Sequence, residues 1–303
     1  MISLFKTEDF NKIKRFICIG AHSDDIEMRC GGVFARLVRQ GAKGLSVVAV
    51  DGPYVRGDKT VSGANMTAAH NIKLREKEAK KGARSLDAAK LIFLHLHPYH
   101  FYDEQVNSND LKVRCPDFSN YEETVEILKK AVFTGNPFVT YAKHNLEFMK
   151  SFKSLIKDWQ PDAVFTHSLA DRHPDHFAVA DIVFQAITEL KIENDAPVFQ
   201  WHSGSFGQMQ HYQPTHFIEL SEHDMSVAAN AMKVFSSQFE TKILTDYVKK
   251  SAQTFGSFAG MKYAQPLIIT HFPSFCQIYN SQEYFNEEHR PFLKPTSITL
   301  PSP

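Results

Sequence analysis

Two short stretches of this 303-residue chain concentrate the residue types that hold metals and move protons. The first is His22-Ser23-Asp24-Asp25-Ile26-Glu27, and the second is Asp171-Arg172-His173-Pro174-Asp175-His176. His22 and Asp25 are three residues apart, so one turn can aim both at a single ion. Histidine plus carboxylate is an ordinary donor set for Zn²⁺. Asp24, between them, is then free to act as a general base. His173 and His176 repeat the i, i+3 spacing, and Pro174 stiffens the turn by fixing φ. Either stretch alone also reads as an Asx turn or a helix cap, through Asp24 or Asp25 in the first and Asp171 or Asp175 in the second. Two such loops, each at the carboxyl end of an expected strand, make coincidence the weaker reading.

The elements that must position these loops follow from hydrophobic patterning. Phe16 to Gly20 (FICIG) is a short apolar run that ends at the first loop. VFARLVRQ then reads as a helix closed by Gly41, and Leu45 to Val50 (LSVVAV) as a second strand. Residues 68–86 read as an amphipathic helix, Leu91 to Leu96 as a third strand, and Leu146 to Trp159 as a helix. Pro161 opens the strand unit DAVFTH, and a helix follows DRHPDH. Strands apolar along their whole length suit a sheet covered on both faces. The order predicts an α/β fold: a Rossmann-like, doubly wound, mostly parallel sheet with helices on both faces. The chain reads as a single domain over residues 1–303. Residues 98–145 form an aromatic-rich insertion that includes a helix at Glu122 to Val132, expected to be a lid or an oligomer contact. Residues 291–303 form an extended, proline-rich tail.

Composition narrows the function classes. Lys plus Arg and Asp plus Glu are both 34, and that balance argues against a nucleic-acid or membrane-surface binder. Cys18, Cys30, Cys115 and Cys276 show no CxxC spacing, which disfavours a disulfide scaffold or a cysteine zinc finger. No run approaches about 18 apolar residues, the length of a membrane span, and the N-terminus lacks the apolar core of a secretory signal. A soluble cytoplasmic protein is the expectation, with homo-oligomerisation open. The 15 histidines are the unusual feature.

At the level of whole motifs the chain resembles the LmbE/PIG-L family of zinc-dependent N-deacetylases. Ile19 to Gly32 (IGAHSDDIEMRCGG) is similar to the family's A-H-P-D-D-x-E signature, and DRHPDH to its second motif. LREKEAKKGARSL, KVFSSQ and GSFAGMKYA resemble three further segments in the family's order. The resemblance implies that His22, Asp25 and His176 hold one Zn²⁺, with Fe²⁺ able to take the same donors. It makes Asp24 the general base, and His173, held by Asp175, the group that assists the oxyanion or the leaving group. Arg75 would touch the substrate at the pocket edge. The implied reaction removes an acyl group, most simply acetyl, from an amino sugar or glycoside. The alternatives are an amidase on a thiol–sugar conjugate and a non-catalytic Rossmann-like binding module. The absence of G-x-G-x-x-G counts against a dinucleotide module.

The sequence departs from the family pattern at several places. Ser23 stands where proline is usual, His97-Pro98-Tyr99-His100 replaces a Pro-Asp-Gly-like segment, and Gln265 stands where an acidic residue is common. His95, His97 and His100 alternate but read as pocket or surface residues rather than as a second metal site. Trp201, His202 and His211 are candidates to line the pocket.

Overall fold

The computed structural model describes residues 7–52, 68–98, 138–193, 195–202, 213–238 and 241–270. Contacts divide the chain into residues 1–269 and residues 270–303, and all but Thr270 of the second unit lies outside the described residues. The helix expected at Glu122 to Val132, most of the insertion, His100, His211 and the proline-rich tail lie outside them too.

Seven strands form one sheet in the order β3-β2-β1-β4-β5-β7-β6. They are β1 (Arg15–Gly20), β2 (Lys43–Val50), β3 (Lys90–Leu96), β4 (Ala163–His167), β5 (Val198–Trp201), β6 (His216–Glu219) and β7 (Ala264–Thr270). β1 pairs in parallel with both β2 and β4, β2 with β3, and β4 with β5, whereas β6 and β7 are antiparallel. The expected α/β, Rossmann-like architecture is therefore present. The β5–β7–β6 half of the sheet was not anticipated. VFQW and HFIE span only four residues each and carry no clear alternation, so periodicity gives them little signal.

The helices are α1 (Thr7–Phe10), α2 (Asp25–Arg29), α3 (Gly31–Arg39), α4 (Ala68–Ser85), α5 (Leu146–Trp159), α6 (Pro174–Leu190), α7 (Glu222–Met232) and α8 (Thr241–Ala259). Among the described residues, none is long and apolar enough to cross a membrane. Strand alternation sorts the core into two layers. Phe16 and Cys18 of β1 and Ala163 and Phe165 of β4 share one cluster with Phe34, Leu37, Ala228, Met232 and Phe235. Ile17, Ile19 and Val164, equally buried, alternate with them and face the other side, where α6 packs on β1 and β4. Phe165 stacks on Phe199 at 4.7 Å, and Phe10 of α1 meets both rings edge-on. Gly31 lets α3 approach α7 closely, because a Cβ there would lie 3.2 Å from that of Ala228. Gly41, at φ +89, ends α3 as expected.

The insertion is anchored at both ends. His97 bridges to Phe138, Phe138 and Val139 are buried, and a 3-10 turn at Ala142–His144 leads into α5 through the Asn145 cap. Tyr141 is exposed.

Gln265 shows why an amide stands where an acid is usual. Its Oε1 accepts from the Val33 N–H at 2.7 Å and its Nε2 donates to the Arg29 carbonyl at 3.0 Å, tying β7 to both ends of the α2–α3 junction. A carboxylate can only accept. Gln265→Glu should therefore cost about 1–3 kcal/mol, the cost of a buried polar group left unpaired. Urea denaturation reads this directly, and a loss below about 0.5 kcal/mol, the range of neutral surface changes, would mean that the bridge is dispensable.

Candidate metal centre

β1 and β4 lie side by side in register, Cys18 opposite Phe165 and Ile19 opposite Thr166, so the loops that leave them open at the same sheet edge. In the first loop, Asp25 Oδ2 accepts from the His22 N–H at 2.6 Å and closes the turn. Asp24 occupies the N-cap position of α2 but makes no side-chain capping bond. In the second, Asp171 Oδ1 accepts from the His173 N–H at 2.9 Å, and His173 Nδ1 accepts from the Asp175 N–H at 3.2 Å at the start of α6. The capping alternative thus holds for the backbone of the second loop, through His173 rather than through either aspartate.

Three side-chain donors converge between the loops. His22 Nδ1 lies 3.2 Å from His176 Nε2 and 3.4 Å from Asp25 Oδ2, and His176 Nε2 lies 3.6 Å from Asp25 Oδ1. A tetrahedral cation with bonds of about 2.0–2.1 Å needs donor separations of about 3.3–3.4 Å. The outer nitrogens of both rings face carboxylates. His22 Nε2 is 2.9 Å from Asp175 Oδ2, and His176 Nδ1 is 2.8 Å from Asp171 Oδ2. A carboxylate only accepts, so those nitrogens donate, and with a cation between them the opposite nitrogens can turn lone pairs into the shared space. Burial alone would lower the His22 pKa, but Asp175 and Asp25 outweigh it and hold it up to about 10. Burial would raise Asp25, yet His176 and His167 drive it well below the usual carboxylate range. The space attracts positive charge; His22 and His176 meet Asp25 through different oxygens of its carboxylate, and the groups close enough to share an ion are His22 with His173 and His176, and Asp25 with His167 and His176.

His173 stands beside this triangle, its ring stacked on His176 at 4.3 Å and edge-on to His22 at 5.0 Å. Burial, His176 and His22 push its pKa down to about 3, which favours the neutral imidazole. With Nδ1 accepting, its proton sits on Nε2. Asp175 meets His173 through its backbone, while its carboxylate goes to His22.

Arg75, expected at the pocket edge, is buried, with 5% of its surface exposed. Its Nε donates to Ser23 Oγ and its Nη2 to Asp24 Oδ1, both at 2.9 Å. Gly52 lets the guanidinium lie against the end of β2, since a Cβ there would sit 2.5 Å from Nη1. Ser23, in the usual proline position, thus supplies a hydrogen-bond acceptor that proline lacks. Farther along α4, Glu78 accepts from the backbone N–H and the hydroxyl of Ser237, fixing the KVFSSQ segment.

Two residues of the centre were not singled out from the sequence as chemical. Asp171 reads there only as a cap. His167 ends the apolar strand DAVFTH and is fully buried beneath Asp25 and His176; its position at a strand's carboxyl end was the available signal. Trp201 is buried in β5 against His167. His95 instead pairs with Asp51 at 2.9 Å, near Glu76, with its own side chain about half exposed.

A family model described as PIG-L, GlcNAc-PI de-N-acetylase, matches residues 17–187, over half of the chain and both loops. The chain belongs to the PIG-L family. Diacetylchitobiose deacetylase of Thermococcus kodakarensis is 23% identical over 284 residues, 89% of this chain and 90% of that protein. The structure of N,N'-diacetylchitobiose deacetylase from Pyrococcus horikoshii, complexed with its inhibitor, matches with a TM-score of 0.61 at 18% identity, covering 87% of this chain and 86% of that one. GalB, the 4-carboxy-2-hydroxymuconate hydratase of Pseudomonas putida KT2440, matches with a TM-score of 0.58 at 19% identity, covering 85% and 96%. At such identities the structural likenesses show the fold, which a hydratase shares with deacetylases.

In this PIG-L family member, Asp171 and Asp175 hold the two histidines through their outer nitrogens. Asp171→Asn and Asp175→Asn should each weaken divalent-metal binding about 10–100-fold, the usual cost of losing such a partner. Chelator competition measures this, and unchanged affinity in both variants would separate these histidines from metal binding.

Proposed function

We propose that the protein is a zinc-dependent hydrolase that removes the acetyl group from an N-acetylated amino sugar or glycoside. The observation that carries this reading is the triangle of His22 Nδ1, Asp25 and His176 Nε2, with edges of 3.2–3.6 Å, beside an Asp24 that is spent on no helix cap. Membership of the PIG-L family and the relatives named as deacetylases support the reaction class. Zn²⁺ and Fe²⁺ both suit two imidazoles and a carboxylate.

In this reading His22, Asp25 and His176 hold the ion. The bound cation would act as a Lewis acid, lowering the pKa of water towards ~7 and drawing charge from the amide carbonyl. Asp24 takes a proton from the water as its oxygen adds to the carbonyl carbon. Arg75, itself anchored on Ser23, keeps the Asp24 carboxylate oriented through Oδ1. His173, neutral with hydrogen on Nε2, donates to the oxygen that becomes negative. The carbon–nitrogen bond then breaks, the amine leaves with a proton from Asp24, and acetate and the free amino sugar remain.

Loading metal-stripped protein with Zn²⁺ or Fe²⁺ and supplying N-acetylglucosamine or diacetylchitobiose tests the reaction. Acetate and free amine should appear in equal amounts. A thiol–sugar amidase would instead be selective for the conjugate, and a hydratase or binding module would release no acetate. Asp24→Asn should retain the metal and lower kcat by about 10²–10⁴-fold; loss of the metal would make Asp24 a ligand. Arg75→Gln should lower kcat more than it raises KM, because Nε and Nη2 of the guanidinium both lie on the Asp24 loop. A rise in KM alone would return Arg75 to a sugar contact.

A further inference from the structure

The least accessible polar group at the centre is His167, with none of its surface exposed. Its surroundings conflict unless one ring tautomer is fixed. Nδ1 faces the Trp201 indole N–H at 3.2 Å. Nε2 faces both the Ala21 N–H at 2.9 Å and Asp25 Oδ2 at 3.2 Å. N–H donors point at both ring nitrogens, so the ring must accept at one of them and has one N–H to place. An indole N–H only donates and a carboxylate only accepts. Hydrogen on Nε2 satisfies Trp201 and Asp25 and leaves Ala21 as the odd partner. Hydrogen on Nδ1 satisfies Ala21 alone and sets two donors against each other at Trp201 and two acceptors against each other at Asp25. The first arrangement pairs two contacts of three.

We propose that His167 is a positioning residue for the metal centre: Trp201 fixes its tautomer, its Nε2–H holds the Asp25 carboxylate, and its ring backs that of His176. The stacking is close, with centroids 4.0 Å apart and planes 15° from parallel. The three groups that would hold the ion then each have a buried partner behind them: Asp175 behind His22, Asp171 behind His176, and His167 behind Asp25. Asp25 needs this partner most. The backbone N–H of His22 and Nε2 of His167 both reach Oδ2, from two directions, and a carboxylate held there from only one would be freer to rotate and would spoil the spacing to both histidines. The role rests on the metal-site reading above and extends it to a residue outside both motifs.

Two isosteric replacements separate positioning from mere filling of space. In His167→Gln the side-chain amide reaches about as far as Nε2 and can still donate to Asp25. In His167→Asn it reaches only as far as Nδ1, so Asp25 loses its partner. Both remain polar, and thermal melts should show a comparable loss of stability for the two. Co²⁺ serves as the probe, with affinity measured by chelator competition and geometry by its visible absorption. Gln should stay within about threefold of wild type, and Asn should bind about 10–100-fold more weakly, both with the wild-type band positions when saturated. Equal weakening of the two, or none, would overturn the proposal. So would a changed coordination spectrum at saturation, since that makes His167 a ligand. Failure of wild type to take up Co²⁺ would instead remove the metal-site reading, and this inference with it.

Discussion

Two imidazole nitrogens and a carboxylate that face one another across 3.2–3.6 Å need positive charge among them, from a proton or from a metal ion. Much of the architecture around the first and fourth strands holds that arrangement. Buried aspartates take the outer nitrogens of His22 and His176, so neither ring can turn its N–H inward without losing a partner. The elevated pKa of His22 and the depressed one of Asp25 are two signs of the same demand for a cation. A metal ion answers it with better geometry than a proton, because one ion reaches all three donors at once.

The parallel sheet makes this possible. Adjacent strands β1 and β4 end at the same edge, and their loops meet only there, with α2 and α6 starting on either side. The pair Phe16–Phe165 and the stacked Phe165–Phe199 sit beneath that edge and fix the relative height of the strands. A shift of one residue between β1 and β4 would invert the faces of every side chain and separate the two loops. α4 adds the third wall. Its Arg75 reaches across the end of β2 to Asp24, and its Glu78 fastens the Ser236–Ser237 turn, so one helix connects the expected base to a segment far along the chain.

The strand–loop–helix units and the two loops were legible in the sequence because their signals are local. Apolar runs end at loops rich in histidine and aspartate, and a proline marks the start of α6. The orientation of Asp175 was not legible. Its place between His173 and His176 points to one of those two rings, and only the fold shows its carboxylate at the distant His22 and its backbone at His173. His167 was hidden for a similar reason. At the end of an apolar strand it has the look of a chance polar residue, and its partners Asp25 and Trp201 are remote in sequence. Arg75 looks like one charge among many on an exposed helix until the tertiary contact with Ser23 and Asp24 buries it. The short strands β5 and β6 carry too few residues for periodicity to show and depend on the sheet beside them.

The central claim is that the three donors share one ion. Anomalous difference maps from crystals of zinc-loaded protein, recorded on both sides of the zinc absorption edge, test it most directly. The account predicts one peak at full occupancy, about 2.0–2.2 Å from His22 Nδ1, an Asp25 oxygen and His176 Nε2. A peak confined to Asp51, Glu76 and His95, or a fully occupied ion bound through His167 in place of His22, would contradict it.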